Sequence, residues 1–171
     1  MTSSGDVRVR DAVPGDVTDI CLFGEEYIPA HYAPLIGAEA AAEQVRRWWD
    51  DAQVGAAVSD GRVVVAEQHG RLVGVAQRGL SGADHVVYKL YVHPGLRGCG
   101  VGPRLVDALV AQLPAGTHRL FLEHFAANGR AAAFYEREGF VVDHVETSPS
   151  GDPLLDVVWR VRDVATRPRG L

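Results

Sequence analysis

The hydrophobic positions change their period several times along the 171-residue chain, which indicates a mixture of strands and helices. Apolar and polar residues alternate in strands, whereas apolar residues three and four positions apart are typical of helices. Strands are predicted at 7–10, 62–67, 71–77, 84–92, 118–125, 141–145 and 154–161. Helices are predicted from an N-cap at Asp16 to about Tyr27, then over 38–51, 105–113 and 129–138. This order favours an α+β fold with one central, mostly antiparallel sheet.

Turn residues add detail to this outline. Residues 29–34 contain two prolines and two aromatic or imidazole rings, and we expect a loop there. His69-Gly70 falls between two predicted strands and indicates a hairpin. Gly139 follows the last predicted helix, where glycine often adopts a left-handed cap, and Phe140 is expected to fold back behind it.

Length and composition support a single domain, which we assign to 1–165, with a disordered tail at 166–171. No apolar run approaches the roughly 20 residues of a spanning helix, and the N-terminus lacks a signal-peptide pattern. The two cysteines, Cys21 and Cys99, form no disulfide framework, so a cytoplasmic location is expected. The net charge of −5 argues against nucleic-acid binding and mildly favours cationic partners such as amines. No metal is expected.

A glycine-rich turn at 97–102 stands out between the predicted strand ending at Val92 and the next helix; it reads Arg97-Gly98-Cys99-Gly100-Val101-Gly102. Glycines allow close approach of the backbone to a ligand, and the first amides of a helix lack partners within the helix. Such a turn predicts an anion site, most often for phosphate. The Walker motif and the dinucleotide fingerprint both require other spacings.

Two blocks of sequence resemble the GNAT superfamily of N-acetyltransferases. The run from Leu90 to Gly102 matches its acetyl-CoA motif, in which Arg-x-x-Gly-x-Gly follows a strand ending in Val-x-Pro. Residues 120–140, LFLEHFAANGRAAAFYEREGF, match its strand–loop–helix element and are similar to ribosomal-protein alanine N-acetyltransferases. Residues 7–12 also look like the first strand of the superfamily. The resemblance implies about seven strands flanked by helices, with a parallel pair that splays apart around acetyl-CoA.

The resemblance also implies which groups hold the cofactor. The backbone of Leu90 and Val92 would pair with the pantetheine arm, and the Val92 N–H would meet the developing oxyanion. The pyrophosphate would lie on the amides of the turn, which are those of Gly98, Cys99, Gly100, Val101 and Gly102. The Arg97 side chain would add positive charge, Asn128 would bond the pantetheine while capping its helix, and Arg130 would meet the 3′-phosphate.

Acetyl transfer to an amine needs a proton acceptor for the amine and a proton donor for the departing thiolate. By resemblance, Tyr135 is the donor and Glu123 is the general base acting through water. His124 is an alternative base, since histidine titrates near pH 6.5, although a packed, hydrogen-bonded histidine is the favoured interpretation. Water alone stays open as a third choice.

The acceptor is less well specified by the sequence. Tyr27, His31 and Tyr32 lie in the segment that covers the acceptor site in similar proteins, and one of Trp48 and Trp49 is expected in the core. Cys99 could suggest a covalent intermediate, but we interpret it as a small residue in a tight turn. The resulting hypothesis is direct acetylation of a small primary amine. Modification of a protein N-terminus or lysine, a longer acyl donor, a non-catalytic acetyl-CoA-binding module and a homodimer remain open.

Overall fold

One mixed sheet organises the protein, whose structure is a computed structural model that describes residues 5–164. Within these residues the strands are β1 Arg8–Asp11, β2 Val63–Gln68, β3 Arg71–Ser81, β4 Asp84–Val92, β5 Arg119–Phe125, β6 Val141–Glu146 and β7 Val157–Asp163. Their spatial order is β1-β2-β3-β4-β5-β7-β6, and β4 and β5 form the parallel pair. The predicted α+β fold with a seven-stranded, mostly antiparallel sheet is therefore confirmed. The predicted disordered tail lies outside the described residues.

Helices cover both faces of the sheet; their bounds are α1 Val17–Ile36, α2 Ala38–Trp48, α3 Asp51–Ser59, α4 Val101–Gln112 and α5 Gly129–Arg137. On one face, Leu105 and Leu109 of α4 pack with Leu120 and Phe140. On the other, residues of α1 to α3 pack against Val63, Val65 and Val75. Two apolar layers thus bury the sheet, as expected when helices flank it on both sides.

The sequence interpretation of the first helical region was wrong in two respects. α1 continues to Ile36 through Pro29 and Pro34, where a loop was expected. A proline inside a helix removes one hydrogen bond, but Ile28 is only 3% exposed, and its burial offsets part of that loss. A separate helix α3 also begins after Asp50, whose carboxylate accepts a hydrogen bond from the Gln53 N–H at 2.7 Å. The helix predicted over 38–51 therefore ends at Trp48, and the Asp50 cap begins the separate helix α3.

Local turn predictions were confirmed. His69 and Gly70 have φ values of 52° and 74° at the β2–β3 turn, as a tight hairpin requires. Gly139 has a φ of 86°, and the Phe140 N–H donates to the Tyr135 carbonyl at 2.9 Å. This cap folds the fully buried Phe140 underneath α5 and fixes the end of the helix that carries Tyr135.

A bulge in β4 creates the opening in the sheet. Gln77 of β3 lies opposite Lys89 and Arg78 lies opposite Val87, so Tyr88 is an extra residue on β4. The parallel pairing of β4 with β5 joins 85–87 to 120–122 and stops at this bulge, although both strands continue. Bulges bend a strand and end its pairing. The two strands therefore separate beyond Val87, as the resemblance predicted.

Close packing of α1 against the end of α2 leads to a testable prediction. A methyl group added at Gly24 would overlap the indole of Trp49, which is buried. Gly24→Ala should therefore lower the free energy of unfolding by about 1–3 kcal/mol. Gly55, in helix α3, has open space around it, so Gly55→Ala should instead stabilise by about 0.5–1 kcal/mol. Urea denaturation of both variants checks the contrast, and an equal response would contradict it.

Candidate active site

The space between the separated strands forms part of a cleft of about 640 Å³. Its lining brings together side chains from α1, β4, β5 and α5, among them Tyr32, Lys89, Tyr91, Glu123 and Tyr135. The sequence placed these residues far apart, and the bulge and the α5 cap assemble them at one opening. The cleft extends away from this opening toward α2 and α3, where Trp48 and Trp49 line it.

Backbone amides of β4 face this opening. The His93 N–H donates to the Val73 carbonyl at 2.8 Å, so His93 is directed toward β3. Backbone groups alternate in direction along a strand, which turns the Leu90 and Val92 N–H groups the opposite way, toward β5. The β5 pairing ends at Val87. Leu90 and Val92 therefore offer free donors at the edge of the cleft.

The glycine turn presents a second set of donors. Gly98 and Gly100 have φ values of 78° and 80°, which lie in the left-handed region that glycine adopts readily. Gly100 is the N-cap of α4 and supplies no side-chain acceptor. Within residues 5–164, four amides of the turn have no acceptor, those of Gly98, Gly100, Val101 and Gly102. The Cys99 amide, in contrast, donates to the Leu96 carbonyl at 3.2 Å.

Two arginines add positive charge beside the turn. The Arg97 Nη2 donates to the Tyr91 hydroxyl at 2.9 Å, and its guanidinium lies 5.5 Å from the centre of that ring. Arg130 is exposed in the first turn of α5. Burial and both arginine charges lower the pKa of His31, which keeps this imidazole neutral near pH 7. The anion site predicted from the turn thus has both amide donors and cationic side chains.

Tyr135 occupies the α5 side of the cleft. Its ring packs against those of His124 and Phe140, with centroid distances of 6.0 and 5.9 Å. Burial, and to a lesser extent the nearby Tyr32, raises the pKa of its hydroxyl, so the phenol keeps its proton at neutral pH. No described residue forms a hydrogen bond with this hydroxyl. The group can therefore donate a proton into the cleft.

Glu123 and His124 lie on opposite faces of β5 and have different surroundings. Glu123 is exposed at the cleft, and its partial desolvation there, followed by repulsion from Glu146, raises its pKa; no described residue forms an ion pair with it. His124 has both ring nitrogens engaged: Nδ1 with the Phe125 carbonyl at 2.9 Å and Nε2 with Arg160 Nε at 3.0 Å. His124 is thus a packed, hydrogen-bonded histidine, as the sequence favoured, and Glu123 is the available carboxylate.

Asn128 connects the two sides of the opening. Its side-chain oxygen accepts from the Ala131 N–H at 3.2 Å and so caps α5, as predicted. Its amide nitrogen lies 3.4 Å from His31 Nε2 on α1. Since His31 is neutral, its Nε2 can accept this hydrogen bond. Of the predicted acceptor residues, Tyr32 lines the cleft and His31 borders Asn128, whereas Tyr27 lines a separate depression beside His93.

Two residues of the site were missed in the sequence. Tyr91 links three elements, because its hydroxyl accepts from Arg97 and lies 3.5 Å from the Tyr27 carbonyl of α1. Lys89 is buried in the cleft wall. The consecutive polar-type residues at 88–89 interrupt the alternation of β4, which was the available signal of a bulge. Trp49 is buried and Trp48 is 49% exposed, which confirms the predicted division between the two tryptophans.

Residues 5–164 show neither a metal cluster nor a membrane-spanning helix. They contain no cluster of three or more histidine, cysteine or acidic residues arranged to hold a metal ion. None of the helices in this part of the chain has the length and apolar character needed to cross a membrane. The opening between β4 and β5 is the candidate active site because it gathers the backbone donors, the phenol and the carboxylate described above.

Comparisons with known proteins place this geometry in context. Residues 59–142 match the model of the acetyltransferase (GNAT) domain. The PaiA N-acetyltransferase of Thermoplasma acidophilum, solved in complex with coenzyme A, has a TM-score of 0.77 and 16% identity over 92% of this chain and 99% of its own. A GCN5-related N-acetyltransferase from Rhodopseudomonas palustris has a TM-score of 0.71 and 25% identity, covering 95% of this chain and 98% of its own.

The ribosomal-protein-S18-alanine N-acetyltransferase of Escherichia coli is also similar in fold, with a TM-score of 0.68 and 16% identity over 97% of this chain and 99% of its own. The matched domain spans the bulge, the glycine turn and α5, which are the elements that form the opening. The structural similarity to these acetyltransferases also covers the residues on both sides of the matched domain. On this basis residues 59–142 form an acetyltransferase (GNAT) domain, and the chain as a whole has the fold of the GNAT N-acetyltransferases.

Proposed function

We propose that the protein transfers an acetyl group from acetyl-CoA to a small primary amine, by direct attack within a ternary complex. The observation that carries this proposal is the opening between β4 and β5, where free backbone donors, a neutral phenol and an unpaired carboxylate line one cleft. The coenzyme A complex of the similar PaiA protein supports the choice of cofactor.

The donor groups of the chain suit acetyl-CoA. Four unpaired amides of the glycine turn, at the positive end of α4, match the charge of a pyrophosphate. Arg97 and Arg130 would add charge for the phosphates, Leu90 and Val92 would bond the pantetheine amides, and Asn128 would add a further contact. When bound, acetyl-CoA would supply an acetyl group activated as a thioester.

Groups of the chain would then accept and donate the protons of the reaction and stabilise the developing negative charge. Glu123, through a water molecule, accepts a proton from the incoming ammonium, and its raised pKa makes it a stronger base than an ordinary carboxylate. Tyr135 holds a proton on its hydroxyl and donates it to the departing sulfur. The Val92 N–H is placed to donate toward oxygen that becomes negative during transfer.

The cysteines support direct transfer over a covalent intermediate. Cys99 is exposed in the glycine turn, where its backbone N–H donates a hydrogen bond to the Leu96 carbonyl. Cys21 is buried, and burial raises its pKa to about 12, which keeps the thiol protonated and unreactive. Neither thiol lines the cleft between β4 and β5.

A turnover screen tests this function. The purified chain is incubated with acetyl-CoA and a panel of amines, and release of free thiol is measured, with the acetylated product identified by mass spectrometry. Amine-dependent thiol release is expected for small primary amines. Coenzyme A binding without turnover of any amine or peptide would instead identify a non-catalytic binding module, and turnover confined to peptides would identify a protein acetyltransferase.

The pH dependence gives a second test, directed at Glu123. Its raised pKa means that the inactive, protonated form persists to higher pH, so kcat/KM should rise with pH through a midpoint above that of an ordinary glutamate. Glu123→Gln should lower kcat/KM about 100-fold at pH 7 and remove this rise. Glu146→Gln should keep the rate but move the midpoint to lower pH, because the repelling charge is gone. Retention of the acid limb in Glu123→Gln would contradict the assignment.

A further inference from the structure

Lys89 is a buried cation that the proposed reaction does not use. It is the single lysine of the chain, lies just past the β4 bulge, and is 9% exposed. Its Nζ donates to Gln77 Oε1 at 2.8 Å and lies 5.2 Å from the centre of the Trp49 ring. Two of the three ammonium donors thus have no hydrogen-bond partner among the described residues.

No carboxylate of the described residues pairs with this ammonium. None of the ion pairs within 5–164 includes Lys89. Cys21 on α1 and Asp50 before α3 are the nearby groups with acidic character, but burial holds the Cys21 thiol neutral, and the Asp50 carboxylate caps α3. A buried charge without a counter-ion is costly. Burial accordingly lowers the pKa of Lys89 to about 8.

The position of Lys89 suggests where its counter-ion comes from. Lys89 and Glu123 line the same cleft, and Lys89 lies three residues before Val92, or roughly 10 Å along β4. Asp60 and Arg62 also line the cleft with opposite charges, and Arg78, a further lining residue, donates to Gln112. The neutral polar residues of the lining include Gln44, Gln53 and Gln77. Glu123 on β5 and Lys89 on β4 thus contribute a carboxylate and an ammonium to one cleft.

We infer that Lys89 binds an anionic group of the acceptor, most simply a carboxylate, so that the acceptor is an aminocarboxylate rather than a simple amine. This inference rests on the proposed function, since it assigns a substrate class to the same cleft. Glu123 would then face the amino end of such a molecule and Lys89 its carboxylate end, so each charged end of the acceptor meets a side chain of opposite charge. Lys89 is then a residue that determines specificity and takes no part in the acyl transfer itself.

The single lysine permits a direct measurement on the wild-type protein. Labelling with ¹⁵N-lysine gives one side-chain ammonium signal in NMR, and a pH titration reports the Lys89 pKa. The titration is repeated with coenzyme A and a saturating ω-aminocarboxylate, in a series from glycine to aminohexanoate, or with the matching alkylamine. An anionic partner favours the charged form, so an aminocarboxylate of suitable length should raise the Lys89 pKa while its alkylamine leaves it unchanged.

Kinetics of Lys89→Met provide the second readout. Loss of a hydrogen bond to a charged group should lower kcat/KM for the preferred aminocarboxylate about 10- to 100-fold and leave the matching alkylamine almost unaffected. Lys89→Arg, which retains the charge, should keep part of the preference. An equal loss for both substrates, or a Lys89 pKa that no aminocarboxylate moves, would overturn the inference.

The two measurements also separate this inference from the proposed function. Turnover of alkylamines with an unmoved Lys89 signal would keep the acetyltransferase and reject the carboxylate site. A raised Lys89 pKa without turnover of any acceptor would keep the site and reject the acetyltransferase.

Discussion

Replacing Tyr135 with phenylalanine should lower kcat about 100- to 1,000-fold, which is the range for loss of a general acid. The change removes only the hydroxyl, while the ring keeps its contacts with His124 and Phe140. Because the hydroxyl has no hydrogen-bond partner among the described residues, its loss leaves no buried group unsatisfied. The fold and the affinity for coenzyme A should therefore be unchanged.

Steady-state kinetics, calorimetric titration with coenzyme A and a thermal unfolding curve together test the role of Tyr135. A fall in kcat with an unaltered coenzyme A affinity and midpoint of unfolding is the expected combination. The raised pKa of this phenol places its own deprotonation at alkaline pH, so the wild type should stay active through neutral pH. A Tyr135→Phe enzyme with near-normal kcat would show that another group or water supplies the proton.

The second large effect is expected in the glycine turn. The double variant Gly98→Ala and Gly100→Ala should weaken coenzyme A binding about 100-fold or more. Alanine is strained at φ values of 78° and 80°, so the turn should relax and its amides lose their common direction. Loss of two hydrogen bonds to a charged group accounts for an effect of this size.

A matched pair of glycines separates binding from backbone strain. Gly116 and Gly151 have φ values of 85° and 76° and open space around them, but neither belongs to the cleft. Gly116→Ala with Gly151→Ala should lower the free energy of unfolding by about as much as the turn variant, roughly 2 kcal/mol, without changing coenzyme A affinity. Equal affinity in the two double variants would exclude the turn as the phosphate site.

Local signals in the sequence predicted those parts of the fold that depend on a few neighbouring residues. The hairpin at His69-Gly70 and the cap at Gly139 follow from backbone preferences, and the paired motifs predicted the splayed strands. The continuation of α1 through Pro29 was missed because its stability comes from distant packing, such as that of Ile28, which outweighs local propensity.

The candidate site was likewise predictable where a local motif marks it, and hidden where it depends on the pairing of distant residues. Tyr135, Glu123 and Asn128 lie in a recognisable motif, and the structure places all three at the cleft. The burial of Lys89 was hidden because its neighbour Tyr88 shifts the register, and register exists only when β3 and β4 are paired. Tyr91 was missed for a related reason, since its partners Arg97 and Tyr27 come from a turn and a helix on either side of it.

The extra residue in β4 makes the cleft depend on the length of one strand. If one codon at Tyr88 were deleted, β4 would have the same number of residues as the facing part of β3, and its edge could join β5 along the full strand. Residues from Lys89 onward would keep their present partners on β3, because the register Gln77–Lys89 is already the one that a strand without the bulge would have. One in-frame deletion could thus close the site while leaving Glu123, Asn128 and Tyr135 in place. When activity is inferred for a similar protein, the length of this strand should therefore be checked before the catalytic motif.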